Sequence, residues 1–173
     1  GMPLTEGLML VHNALVGAGL RDRIKIGASG KVASGMDIVS RVIQGADFTL
    51  SARAMMFAIG CIQAQKCNTN TCPVGVATQD PGLIRSLYVP DKAKRVYNFQ
   101  RATVASAAQI VASMGLGGFG ELDPVMLNRR IEGGRTRTYA ELYEWLTPGA
   151  LLDDSGPDSW RADWNIATAA EFR

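Results

Sequence analysis

The sequence is short of the residues that most often build metal and proton-transfer sites. Among 173 residues it has one histidine, His12, and three cysteines, Cys61, Cys67 and Cys72. A single histidine excludes a His-rich metal centre. An odd number of cysteines excludes a fully paired disulfide framework. A large excess of one charge is also missing. The 18 Lys and Arg against 16 Asp and Glu leave +2, which argues against nucleic acid or an acidic membrane as partner. No apolar run approaches the roughly 18 residues of a membrane span. No leader pattern opens the chain, Gly1 before Met2 reads as the residue left by a cleaved tag, and a cytoplasmic setting is expected. What is present is 47 % hydrophobic residues, enough for the core of one ordinary domain.

Periodicity organises the rest. Residues 4 to 18 predict a helix with Leu8, Val11, Leu15 and Ala18 on one stripe and Gly19 at a left-handed C-cap. "RIKIGAS" predicts a short strand in which Ile24 and Ile26 flank Lys25. Ser34 and Asp37 have capping-box spacing, and Met36, Val39 and Ile43 share a face of the helix that Gly45 ends. Residues 46 to 51 predict a second strand, and "ARAMMFAIG" a short helix. Strand, glycine turn, helix and strand over residues 24 to 51 make a βαβ unit, the element of parallel sheets with right-handed crossovers.

Beyond the cysteines, residues 91 to 114 predict one long helix. Asp91 is its expected N-cap behind Pro90, and Ala93, Val96, Val104, Ala107, Val111 and Met114 form its stripe. "GLGGFG" follows a helix rather than a strand and lacks a Lys-Ser/Thr ending, so it reads as a helix stop and not a phosphate loop. Asp123 and Pro124 start a short helix. Thr138 and Glu141 form a second capping box leading "YAELYEWL" to Pro148. Trp160 and Trp164, one helical turn apart, are expected to dock the tail onto the body.

Two stretches carry candidate chemistry. The backbone N–H groups of Gly30 and Lys31 suit an anion, and Ser51-Ala52-Arg53 opens a helix N-terminus of the kind that favours phosphate. A tight turn beside a solvated arginine fits the same spacing. The cysteines are spaced C-x5-C-x4-C. They fit inert reduced thiols, a zinc site with His12 or Asp80 as a weak fourth ligand, or three corners of an iron–sulfur cluster. Asn68 to Thr71 are small and polar, and suit a tightly turning backbone. Pro73 after Cys72 echoes the Cys-Pro ending of ferredoxin motifs.

The stretch "IKIGASGKVASGMDIVSRVIQGADFTLSARA" resembles the last two strands of FMN-binding (β/α)8 barrels. Gly35 and Asp37 match a Gly-x-Asp, and Gly45-Ala46-Asp47 match a Gly-Ala-Asp, while Lys31 departs from the second glycine of the turn. The loop "GCI.....C....CPVGVATQDP" directly afterwards narrows the resemblance to the FMN-binding, or synthase, domain of glutamate synthase and its relatives. "VHNALVGAGLRDRIKIGASGK", "VPDKAKRVYNF", "MLNRRI" and "TYAELYEWLTPGALL" extend it from Leu4 to Leu152. Asn68 stands where a histidine often follows the second cysteine.

The resemblance implies an α/β fold, the C-terminal portion of an FMN-binding (β/α)8 TIM barrel with its last two strands, followed by a helical region. It implies a barrel segment with the cysteine loop over residues 2–81, a helical extension over 82–152, and an acidic linker and tail over 153–173. It implies FMN phosphate at Ser29, Gly30, Lys31, Ser51, Ala52 and Arg53, and a [3Fe–4S] cluster on Cys61, Cys67 and Cys72. The implied reaction is reductive formation of glutamate from 2-oxoglutarate and glutamine-derived ammonia, with the cluster relaying electrons to the flavin. The first six strands and an amidotransferase part are not in this sequence. No catalytic acid, base or nucleophile is therefore assigned, and the chain alone is expected to be inactive. The expected partner is the remainder of the barrel, another subunit, or a second copy covering the sheet edge. The alternative is a truncated, cofactor-free structural or interaction domain.

Overall fold

The computed structural model describes residues 1–171; residues 172 and 173, the end of the expected tail, lie outside the described residues. The chain forms two compact units. One contains Gly1–Ala28, Ser40–Phe48 and the chain from Leu122 onward, and the other contains Ser29–Val39 and Thr49–Glu121. In order, the elements are α1 (Leu4–Gly17), β1 (Gly27–Ser29), α2 (Gly35–Ile43), β2 (Phe48–Leu50), α3 (Arg53–Ala58), α4 (Pro81–Ile84), α5 (Val89–Ser113), β3 (Asn128–Arg130), β4 (Thr136–Thr138), α6 (Tyr139–Leu142) and α7 (Asp158–Ile166). β1 pairs with β2, and β3 pairs antiparallel with β4. Among the described residues no helix is long and apolar enough to cross a membrane.

The strand–helix–strand order read from residues 24 to 51 is present, with shorter strands. Ile24 is exposed and precedes β1, whereas Ile26 is buried and joins Leu8, Ala28 and Ala46 in an apolar cluster against which Leu15 packs. Fully burying side chains such as Leu8 and Ile26 contributes about 1.5–3 kcal/mol each. α2 begins with the capping box: the Asp37 N–H donates to Ser34 Oγ at 3.2 Å, and the Ser34 N–H donates to Asp37 Oδ2 at 2.9 Å. Val39 and Ile43 are buried, but Met36 is exposed and leaves the expected stripe.

α1 is rotated from the expected face. Its buried residues are Leu8, Met9, Asn13 and Gly17, and Val11 points to solvent. The polar Asn13 explains the rotation. Its Nδ2 donates to the Met9 carbonyl at 3.0 Å, and its Oδ1 accepts the Leu146 N–H at 2.8 Å. That bond also corrects the long helix expected after Thr138. The Thr138–Glu141 capping box forms, yet α6 stops at Leu142. Leu146 has given its N–H to Asn13, and the Trp145 indole donates to the Tyr139 carbonyl at 3.1 Å. The hairpin of β3 and β4 just before it was not anticipated.

Asp91 does not cap α5. The helix starts two residues earlier, with Tyr88 at the N-cap and Pro90 in the first turn. Of the expected stripe only Ala107 and Val111 are buried. Within this unit α3 packs on α5. Asp80, weighed as a metal ligand, instead caps α4 by accepting the N–H groups of Gly82 and Leu83. Trp160 and Trp164 lie on α7, Trp160 half-buried and Trp164 38 % exposed.

A polar knot ties the starts of the two strands. Asp47 accepts Arg21 at 2.8 Å, Lys25 at 3.2 Å and the Ile26 N–H at 2.7 Å. Burial pushes its carboxyl up, but these hydrogen bonds and the Arg21 charge outweigh it and hold the group below its ordinary range. Arg21 also donates Nε–H to His12 Nδ1 at 3.1 Å and bonds the Gly45 carbonyl at 2.9 Å. His12 therefore serves as a neutral acceptor with its other nitrogen protonated. Burial, then the Arg21 charge, lowers its pKa, opposed in part by Gly45 and Asp47. Gly45 sits at φ +107, and a Cβ there would meet the His12 ring at 2.4 Å, so only glycine fits.

Two outcomes are expected in melts of the whole chain. Asn13→Ala strands the Leu146 N–H and lowers unfolding free energy by about 2 kcal/mol. The His12 contribution is fully present above the ordinary histidine value of 6.5 and is lost as pH falls through the lower folded value. Wild type should therefore lose more stability than His12→Gln between about pH 7.5 and about pH 5.5. Equal losses in the two proteins would remove His12 from the knot.

Candidate functional site

The segments that follow β1 and β2 share the walls of a cavity of about 500 Å³. Its lining includes Ser29, Gly30, Lys31, Val32 and Ala33 from the first segment and Leu50, Ala52, Arg53 and Phe57 from the second, with Gln63. Five of the six residues expected to hold a phosphate therefore face one space. The sixth, Ser51, braces it: its hydroxyl donates to the Val32 carbonyl at 2.7 Å and ties the two segments together.

The turn in this wall is strained. Gly30 has φ +148 and Lys31 has φ +54, so the lysine keeps the left-handed backbone that a glycine takes without cost. α3 is only six residues long and its N-cap residue, Ala52, makes no side-chain bond, so its dipole is modest. The charge that matters for an anion is on Lys31 and Arg53. Neither makes an ion pair or side-chain hydrogen bond among the described residues. A cavity lined by the Gly30–Lys31 turn, two cations without an ion pair among the described residues, and the apolar Val32, Leu50 and Phe57 has the chemistry to take a phosphate monoester.

A second cavity of about 280 Å³ is lined by Arg53, Met56, Phe57, Cys61, Gln63, Gln65 and Cys67. All three cysteines are free thiols: Cys61 half-buried, Cys67 exposed and Cys72 buried. Cys72 is not in the cavity lining. The N–H groups of Ala77 and Val74, with those of Val76 and Gly75, hold its thiol below the ordinary range against the effect of burial. Such N–H groups would serve a metal-bound sulfur equally well. The loop between the cysteines is pinned by Asn70, at φ +60, whose side chain accepts the Gln79 N–H at 2.6 Å and whose carbonyl accepts the Thr78 hydroxyl at 2.6 Å. The donor chemistry fits a thiolate-bound cluster, but among the described residues no three His, Cys, Asp or Glu side chains converge closely enough to hold a metal ion. His12 and Asp80, engaged elsewhere, supply no fourth ligand.

Phe57 and Gln63 were not anticipated. Phe57 was within reach of sequence reasoning, since it follows Arg53 by four residues on α3 and so shares its face. Nothing in the sequence marks Gln63.

The family described as "Conserved region in glutamate synthase" matches residues 1–117. The chain belongs to the glutamate synthase family. It is 42 % identical over 116 residues to the glutamate synthase large subunit-like protein YerD of Bacillus subtilis, covering 67 % of this chain and 22 % of that protein. It is 34 % identical over 162 residues to the glutamate synthase [NADH] of Saccharomyces cerevisiae, covering 91 % of this chain and 7 % of that one. It is 40 % identical over 116 residues to the ferredoxin-dependent glutamate synthase of Pyropia yezoensis, covering 66 % of this chain and 7 % of that one. The chain thus spans a small part of the length of each of these glutamate synthase relatives.

The Ser51 brace is testable without a ligand. Ser51→Ala frees the Val32 carbonyl and should cost about 1 kcal/mol in denaturant unfolding. Hydrogen exchange should also speed up at residues 30–33 more than in α5.

Proposed function

We propose that this chain is the FMN- and iron–sulfur-binding segment of a glutamate synthase-like oxidoreductase, acting in the reductive formation of glutamate from 2-oxoglutarate and glutamine-derived ammonia. The observation that carries this reading is the convergence of Ser29, Gly30, Lys31, Ala52 and Arg53, drawn from two separate stretches, on one cavity. That cavity shares Arg53, Phe57 and Gln63 with the cavity of Cys61 and Cys67. The strand–helix–strand unit is read as the last two strands of a (β/α)8 barrel. The remaining strands, in the same polypeptide or another subunit, supply the 2-oxoglutarate site. A cytoplasmic setting goes with this reading.

In this role Lys31 and Arg53 neutralise the phosphate dianion, and the N–H groups of Gly30 and Lys31 orient it. Phe57 and Val32 exclude water from the apolar side. Cys61, Cys67 and Cys72 would hold the cluster, with the N–H groups of residues 74–77 stabilising the Cys72 sulfur. Because the three thiols do not converge on one point, cluster binding requires the 61–72 loop to bring Cys72 toward Cys61 and Cys67. When bound, FMN supplies hydride transfer and the cluster supplies single-electron transfer. None of these residues is placed as a proton donor or nucleophile.

The same lack of convergence favours a second reading, a cofactor-free structural or interaction domain. Anaerobic incubation with FMN, ferrous iron and sulfide, then desalting, separates the two. The first reading expects retained flavin absorption and a broad cluster absorption with iron and sulfide in it. Arg53→Ala should weaken FMN, measured by quenching of its fluorescence, about tenfold or more while barely changing riboflavin. Colourless protein with three free thiols would leave only the second reading.

A further inference from the structure

The two cavities share a wall, and one residue of that wall, Gln63, has a left-handed backbone. Arg53, Phe57 and Gln63 line both spaces. Gln63 stands at φ +58 and Gln65, in the lining of the cysteine cavity, at φ +54. A non-glycine residue in the left-handed region is strained and persists only where its surroundings hold it there. At Gln63 the holding contact is visible: its N–H donates to Cys61 Sγ at 3.4 Å. One residue therefore borders the anion cavity and contacts the Cys61 sulfur with its backbone. Arg53, which makes no ion pair or side-chain hydrogen bond among the described residues, lines both spaces.

We propose that a phosphate monoester bound in the larger cavity draws in Arg53, locks Gln63 and thereby closes the smaller cavity over Cys61. The phosphate site then governs access to one cysteine of the loop. Gln63 acts as a positioning residue, coupling the two sites through its constrained backbone. The inference rests on the FMN reading and adds to it a direction of control. The phosphate-bearing ligand comes first and presets the thiol, so that occupancy at one site is felt at the other as a change in solvent access.

The test uses the reduced, metal-free whole chain. N-ethylmaleimide labelling of Cys61, Cys67 and Cys72 is tracked separately by peptide mass spectrometry, while fluorescence quenching reports FMN binding. At FMN about ten times its Kd, an occluded thiol reacts only through the unbound fraction, so Cys61 should label about tenfold more slowly. Cys72 should change less than about twofold. Riboflavin, which lacks the phosphate, should not protect Cys61, and inorganic phosphate at saturation should protect it in part. Gln63→Gly takes the left-handed backbone without strain and removes the side chain. Its protection ratio at saturating FMN should fall below about twofold. Should that variant not fold, Gln63→Asn, which tolerates the same backbone, reads the same ratio.

FMN that binds without slowing Cys61 overturns the coupling and leaves the cofactor reading standing. Full protection in the Gln63 variants removes Gln63 from it. Equal protection by riboflavin overturns the phosphate as the trigger. Absence of FMN binding overturns the cofactor reading and the coupling with it.

Discussion

The pairing of β1 with β2 depends on one carboxylate, that of Asp47. It takes the Ile26 N–H at the start of β1, while the Asp47 N–H goes to the Ile26 carbonyl at 2.9 Å. Residues 26 and 47 are therefore locked in one register before either strand begins. Arg21 and Lys25 neutralise the charge, and Arg21 reaches on to His12 and Gly45. A half-buried carboxylate with two cations and a backbone donor is held ionised, and it resists slippage because a shifted register would leave it unpaired. Each three-residue strand is too short to set register through its own ladder. Within the unit that holds the larger cavity, the Ser51 brace ties the two lining segments together.

Local chemistry was legible in the sequence, and distant pairing was not. Both capping boxes, at Ser34–Asp37 and Thr138–Glu141, form as read because their partners lie three residues apart. The glycine stops at Gly19, Gly45 and Gly115 all take positive φ. By contrast, Asn13 looked like an ordinary polar position on the first helix. Its partner Leu146 lies 133 residues away, and the bond both turns α1 and stops α6. No local pattern encodes such a bond. The Asp91 cap failed for a subtler reason. Pro90 is as well suited to the first turn of a helix as to the residue before a cap, and the chain uses it inside the helix.

At the site, residue types were readable and their convergence was not. Ser29 to Lys31 and Ser51 to Arg53 stood out because glycine, serine and a cation after a strand suit an anion. That they face one cavity is a consequence of the pairing of β1 and β2. The spacing of the cysteines alone left inert thiols, a zinc site and a cluster open, and the cluster reading came from the family resemblance. The role of residues 74–77 was hidden, because backbone N–H groups carry no sequence signature. Their effect is a lowering of the Cys72 thiol pKa against burial. Membership in the glutamate synthase family accounts for the presence of both stretches in one chain, while the geometry that joins them comes from Arg53, Phe57 and Gln63.

Four of the five described non-glycine residues with left-handed backbones lie between residues 31 and 70; the fifth is Asp154. Lys31, Gln63, Gln65 and Asn70 all hold left-handed backbones without being glycine. Each sits in a cavity wall or pins the cysteine loop. Relaxed alternatives existed at every one, since a glycine substitution would remove the cost. A side chain retained against that cost must return something that glycine cannot. For Asn70 the return is visible in the two hydrogen bonds that its side-chain oxygen accepts from residues 78 and 79. At Gln63 the backbone N–H donates to Cys61 Sγ, so the cysteine loop itself holds that strained turn. Lys31 and Gln65 make no side-chain hydrogen bond among the described residues, and each belongs to the lining of a cavity. Their left-handed backbones therefore shape cavity walls rather than close a hydrogen-bond network.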